Sequence, residues 1–291
     1  MGKRKQIKDG DVAMGGTDPN VDGDSSDEDM EIVNVDFEWF DFQEIDFHGL
    51  KNLIRQLFDV DAQDIDLSAL SDLIISQPHL GSTVKTDGKE SDPYAFLTVL
   101  NLQEHSENPG VKGLTAYLKR RASSTPSLAP LAELLSKTPI PPIGLILTER
   151  LINMPVEVIP PMYGMLQEEI AQSIEEKKPC NFSHYLIVSK NYEEVESKLD
   201  AEESRPQKKK KKAAAEKGQR FFFHPEDEVL ERHALCTGGY DWLHKHDEGH
   251  SDSKRAFQEL GILTKGSLML FEAGKLDGAV KDMAEGYKPP A

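Results

Sequence analysis

IVNVDFEWFDFQEIDFHGLKNLIRQLF, residues 32–58, changes hydrophobic period partway along and so decides the fold class. Val33, Val35, Phe37 and Trp39 alternate with Asn34, Asp36 and Glu38, the two-residue period of a half-buried strand. At Trp39–Phe40 the apolar phase slips to even positions (Phe40, Phe42), which predicts a bulge or the strand's end. Leu50, Leu53, Ile54, Leu57 and Phe58 then fall at i, i+3, i+4, i+7 and i+8, one face of an amphipathic helix with Asp46 as its expected cap. A strand that opens into a helix within so few residues points to a chain in which both element types share one core.

Outward from it, DIDLSALSDLIIS (64–76) repeats the helical pattern with Asp66 as cap. LGSTVKT (80–86) and PYAFLTVLNL (93–102) predict two strands, and VKGLTAYLKRRA (111–122) a helix ending in a basic cluster. TPSLAPLAELLSK (125–137) predicts a second helix with Thr125 as cap and Pro126 at its first position. PPIGLILTE (141–149) is a buried strand, a long helix starts near Pro160 or Pro161, and CNFSHYLIVSKNYEE (180–194) is another strand. RFFFHPEDE (220–228) resumes the sheet and leads into a helix, PEDEVLERHAL. GSLMLFEAG (266–274) is the last strand, and LDGAVKDMAEGY (276–287) a terminal helix. Crossovers and directly linked strands coexist in this order, so the expected fold is one α/β domain with a mixed, largely antiparallel central sheet flanked by helices.

Two segments fall outside that pattern. Residues 1–30 hold almost no apolar side chains and predict a disordered acidic tail ahead of a domain spanning 31–291. Residues 194–219, which include a run of five lysines, predict a disordered insertion between two strands.

The chain has 291 residues and a net charge of −17. Between residues 18 and 66, sixteen acids face only Lys51 and Arg55. Such a body repels nucleic-acid phosphates and anionic lipid, and attracts basic proteins. No stretch approaches the roughly 18–20 apolar residues that cross a bilayer. Cys180 and Cys236, the only cysteines, have no metal or disulfide spacing, which points to a reducing compartment.

Candidate chemistry is sparse. The element order resembles the GNAT acetyltransferases, and in that comparison acetyl-CoA would dock where FLTVLNL opens into the next helix. The phosphate-cradling loop is missing: Gly110 and Gly113 are spaced G-x-x-G, Asn108–Pro109 stiffens the turn, and Glu104 and Glu107 repel phosphate. His244, His246, Asp247 and His250, with His233 or Cys236, could be gathered around a metal, but the spacing favours a polar surface loop. No cofactor or metal is therefore expected. Lys3, Arg4 and Lys5, and Lys208, Lys209, Lys210, Lys211 and Lys212, are short basic runs suited to a nuclear-import receptor. No aromatic platform accompanies them, so nucleic acid is disfavoured as a partner. Ser25 and Ser26, with Glu28 and Asp29 three residues on, suit an acid-directed kinase.

Four separated blocks resemble the BCCIP family in order: VNVDFEWFDFQEIDFHGLKNLIRQLF, GSTVKTDGKESDPYAFLTVLNL, LILTERLINMPVEVIPPMYGMLQEEI and FFFHPEDEVL. The resemblance implies a GNAT-like fold without the cofactor loop and a non-enzymatic adaptor that escorts a basic ribosomal protein of the large subunit. It further implies a part in nuclear export and ribosome biogenesis; with the basic runs, the expected partners include nuclear import and export receptors, and the chain is expected to be a monomer that shuttles between nucleus and cytoplasm. The alternatives are a GNAT-type acyltransferase and a nucleic-acid binder using the basic runs. Asp36 and Glu38, which alternation turns outward, and Asp41 farther along the first strand are the expected contacts for a basic client.

Overall fold

Alternation along the strands divides the interior into two cores, one on each face of a single open sheet. The computed structural model describes residues 36–77, 79–194, 220–244 and 262–288. Its strands are β1 (Glu38–Phe40), β2 (Gly81–Lys85), β3 (Ala95–Asn101), β4 (Ile143–Arg150), β5 (His184–Glu194), β6 (Arg220–Phe222), β7 (Cys236–Tyr240) and β8 (Ile262–Glu272). They run in the order β1-β2-β3-β4-β5-β8-β7, with β6 paired to β5 off that path. Among the described residues only β4 and β5 pair in parallel.

Phe96, Leu100, Leu145, Leu147, Leu186, Val188, Leu268 and Leu270 point to one face. They pack under α1 (Phe47–Phe58), α2 (Leu67–Ser76), α3 (Pro109–Ser124) and α4 (Ala129–Ser136). Their neighbours Leu97, Val99, Ile146, Ile187, Met269 and Phe271 point to the other face. There they meet α5 (Ile159–Glu175), α6 (Glu226–His233) and α7 (Leu276–Gly286). Strands buried on both faces read as near-continuous apolar runs, which is why IGLIL (143–147) and YLIV (185–188) carry so little polarity. The mixed, largely antiparallel sheet between two helical layers is the fold class expected from the sequence.

Local chemistry sets the elements. The predicted face of α1 is the buried one: Leu50, Leu53, Ile54, Leu57 and Phe58. Asp66 caps α2 by accepting from the Ala69 amide at 3.0 Å. Asp46 does not cap α1. It is buried and holds Lys85, also buried, at 2.6 Å, so it ties α1 to β2 as an ion pair. Thr125 makes no side-chain cap, and α4 starts at Ala129 after a short turn over Pro126–Leu128. Gly81 opens β2 at φ 117°, where a β-carbon would lie 2.1 Å from the Leu97 carbonyl oxygen, so the β2–β3 approach requires glycine.

The structure adds β7, CTGGY, which its glycines disguise as a turn. Gly238 lies under Ser127 and Leu128, and Gly266 of β8 lies under the Tyr240 ring, where a β-carbon would meet it at 2.2 Å. Glycine within these strands marks close approach rather than chain reversal. The first strand is described only from Glu38 to Phe40; Val33 and Val35 lie outside the described residues, as do the 1–30 tail and the lysine-rich stretch from 195 to 219.

Candidate functional site

Ligands of open α/β sheets bind beyond the carboxyl ends of parallel strands, and here that place is the end of β4–β5. Parallel pairing runs from Ile143–His184 to Leu147–Val188 and stops. Farther along β5, Asn191–Glu193 pairs with β6 instead. The wedge that opens between the strands is filled by side chains from α6 and from the turn that leads into it after β6. Glu149 accepts from His224 Nε2 at 2.9 Å and is ion-paired with Lys190 Nζ at 2.6 Å. Arg150 donates twice to Glu226, at 3.2 and 2.8 Å, and once to the Met154 carbonyl at 3.2 Å. The Ser189 hydroxyl donates to Asp227.

Three carboxylates thus face three basic side chains in a nearly dry space. Burial alone would push the Glu149 carboxyl up, but Lys190 and the His224 bond outweigh it and hold it at about 2. Burial dominates at Asp227 and raises it to about 7 despite His224 and the Ser189 bond. His224 is disfavoured as a cation by burial, yet Glu149 raises it above its ordinary value. Each charged group has an ion-pair or hydrogen-bond partner within the chain, with His224 Nδ1 left without one among the described residues, which makes this wedge a fastening.

The strand-to-helix turn singled out for acetyl-CoA lies elsewhere, between β3 and α3, and is also closed. Asn108 accepts from the amides of Gly110 (2.9 Å) and Val111 (3.3 Å), the donors a phosphate would need. Gly110 is small because α3 crosses α2 there: a β-carbon would sit 2.8 Å from the Leu70 amide nitrogen.

The β1 edge is different. Asp36, Glu38 and Asp41 are all exposed. The extended chain fastens itself by the aromatic residues beside them: Phe37 packs against the α5 side, Phe42 is buried on the α1 side, and the Trp39 indole donates to the Val158 carbonyl at 3.4 Å. Alternation therefore sends Glu38 and Asp41 to opposite sides of the sheet plane. A hollow lies on each side. On the α1–α2 side, about 670 Å³ is floored by Phe42, Phe47 and Ile75, with Glu44 and Asp72 on its wall. On the α5 side, about 350 Å³ is lined by Asp41, Glu169 and Glu176 together with His79 and Lys178. Burial raises Glu169 to about 7, against the opposing bond it accepts from the Gly81 amide at 2.7 Å. Asp36, Glu38, Glu44 and Asp72 make no ion pair among the described residues, and Asp41 comes no closer to His79 than 4.0 Å.

Beside the three acids expected from the sequence stand Glu44, Asp72, Glu169 and Glu176, which come from three other elements and share no spacing. Asp46 and Asp61, two of the sixteen acids between residues 18 and 66, are both buried. Asp61 accepts from the Tyr117 hydroxyl (2.9 Å) and from the amides of Leu243 (2.8 Å) and His244 (3.0 Å), pinning the segment after β7 to the body. The histidines weighed as metal ligands are dispersed: His244 meets Asp64 at 3.0 Å, and His233 meets Asp282 at 2.8 Å. Among the described residues no group of three His, Cys, Asp or Glu is placed to hold a metal. His246, Asp247 and His250 lie outside those residues, as do Ser25, Ser26 and both basic runs, Lys3–Lys5 and Lys208–Lys212.

Known proteins agree with this architecture. Residues 32–230 match the family model described as BCCIP. The chain is 79% identical to Protein bcp1 of Emericella nidulans over 99% of both chains. It is 45% identical to Protein bcp1 of Schizosaccharomyces pombe, over 89% of this chain and 92% of that one. The crystal structure of BCP1 from Saccharomyces cerevisiae superposes with a TM-score of 0.62 at 29% identity, covering 91% of this chain and 93% of that one. With most of its fold inside the matched region and full-length relatives on either side of half identity, the chain belongs to the BCCIP family.

Proposed function

We propose that this protein is a non-catalytic acidic escort that binds a basic ribosomal protein of the large subunit and accompanies it between nucleus and cytoplasm. The observation that carries the reading is the β1 edge, where Asp36, Glu38 and Glu44 stand exposed without an ion-pair partner among the described residues, beside two hollows that acids help to line. A free ribosomal protein exposes a lysine- and arginine-rich RNA-binding surface. An acidic cover steers its capture and shields it from wrong partners. The non-catalytic part is supported by the β4–β5 wedge, whose charged groups are consumed by one another, and by the capped α3 terminus. The shuttling part rests on the basic runs Lys3–Lys5 and Lys208–Lys212 as import signals and on the family resemblance.

The test is affinity capture with the full chain at moderate salt after nuclease treatment. The expected result is one stoichiometric basic protein of the large ribosomal subunit. Stoichiometric RNA, or capture without any basic protein, contradicts the reading.

A further inference from the structure

The basic cluster read in VKGLTAYLKRRA is not used by the acidic edge, and the structure divides it. Arg121 turns inward: it donates to the Asp241 carbonyl at 3.0 Å and lies over the Tyr117 and Tyr240 rings. Lys112 and Lys119 stay exposed, two helical turns apart on one stripe of α3. Across from that stripe, Lys137 follows the end of α4. The three lysines line a hollow of about 370 Å³.

Three properties of this hollow decide what fits it. No carboxylate lines it, and none of its lysines makes an ion pair among the described residues, although acids outnumber basic residues 51 to 34 in the chain. Its floor is apolar, formed by Leu102, Leu135, Ile140 and the Cβ of Ala116. Its volume accommodates one or two side chains rather than a nucleotide strand. The net charge of −17 acts against a long polyanion over its whole length, whereas a short acidic segment feels the local lysines within about one Debye length of 8–10 Å.

We infer that the α3–α4 hollow is a second binding site, which takes an acidic peptide segment by seating one apolar side chain on the floor while flanking carboxylates meet Lys112, Lys119 and Lys137. The site is opposite in charge to the β1 edge, so it would hold an acidic protein while the edge holds a basic one. It stands on its own lining and does not depend on the identity of the client at the edge.

The experiment is fluorescence anisotropy of the full chain with a fluorescein-labelled peptide, Glu-Asp-Leu-Asp-Glu, and a matched peptide with alanine for leucine. The wild-type chain binds the leucine peptide, and the alanine peptide binds about fivefold to tenfold more weakly, as expected for loss of one apolar anchor. The double variant Lys112→Glu/Lys137→Glu, altered only at exposed positions, binds the leucine peptide at least about tenfold more weakly. Ala116→Trp, which fills the floor without changing charge, also weakens it. The inference is overturned if the wild-type chain does not bind, if the double variant binds equally, or if the two peptides bind alike. Tighter binding of a single-stranded oligouridylate of equal charge also overturns it.

Discussion

Two regions of this molecule concentrate carboxylates, and they do opposite things with them. In the β4–β5 wedge, Glu149, Glu226 and Asp227 are buried and each has a partner: Lys190 and His224, Arg150, and Ser189. At the β1 edge, Asp36, Glu38 and Glu44 are exposed and have no ion-pair partner among the described residues. A buried charge must be answered inside the protein, so it fixes conformation and has nothing left for a ligand. An exposed and unanswered charge adds little stability and remains available for recognition. The same residue type therefore serves as a fastening in one place and is left exposed and unanswered in the other.

That contrast can be broken first at the wedge. Arg150→Ala leaves Glu226 buried without its counter-ion, and urea denaturation should show a loss of about 3–5 kcal/mol. A loss below about 1 kcal/mol would mean that water reaches the wedge. Asp61→Ala strands the Tyr117 hydroxyl and the Leu243 and His244 amides, and the same measurement should show about 2–3 kcal/mol.

The pH dependence of stability sharpens the comparison. Folded Asp227 keeps its proton up to about 7, against an ordinary value of 3.8, so its contribution is full below 3.8 and drains away as pH climbs through 7. His224, raised from 6.5, acts in the same direction above that pH. Glu149 opposes them: its contribution is present above 4.5 and is lost as pH falls toward 2. Asp227→Asn, which stands in for the protonated carboxyl, should flatten the decline between 4 and 7 in a series of denaturation midpoints; an unchanged slope would remove Asp227 as its source. The smallest effect belongs to the edge. Glu38→Lys should shift stability by no more than about 0.5 kcal/mol, and a larger loss would show that this acid is structural after all.

Much of the fold is legible in the sequence because burial writes itself as periodicity. The apolar stripe of α1 and the two-faced strands β3, β4 and β5 follow directly from it. β7 is not legible, because Gly238 and Gly239 carry the composition of a turn and only the neighbouring side chains explain them. The sites are harder for the same reason. Nothing local distinguishes Asp46 or Asp61, which are buried, from Asp36 or Asp41, which are not; the difference lies in Lys85 and Tyr117, distant in sequence. The acids that wall the two hollows come from α2, α5 and the segment before α1, and no spacing rule joins them.

The central claim is that the position of the acids at the β1 edge, and not the net charge of the chain, captures the basic client. Two variants with equal charge change separate these: Asp36→Lys/Glu38→Lys/Asp41→Lys at the edge, and Glu133→Lys/Glu228→Lys/Glu285→Lys at exposed positions on α4, α6 and α7. Titration calorimetry with a lysine-rich large-subunit ribosomal protein should show binding weakened at least about a hundredfold for the first and within about threefold of wild type for the second. Equal weakening of both, or unchanged binding by the edge variant, would contradict the account.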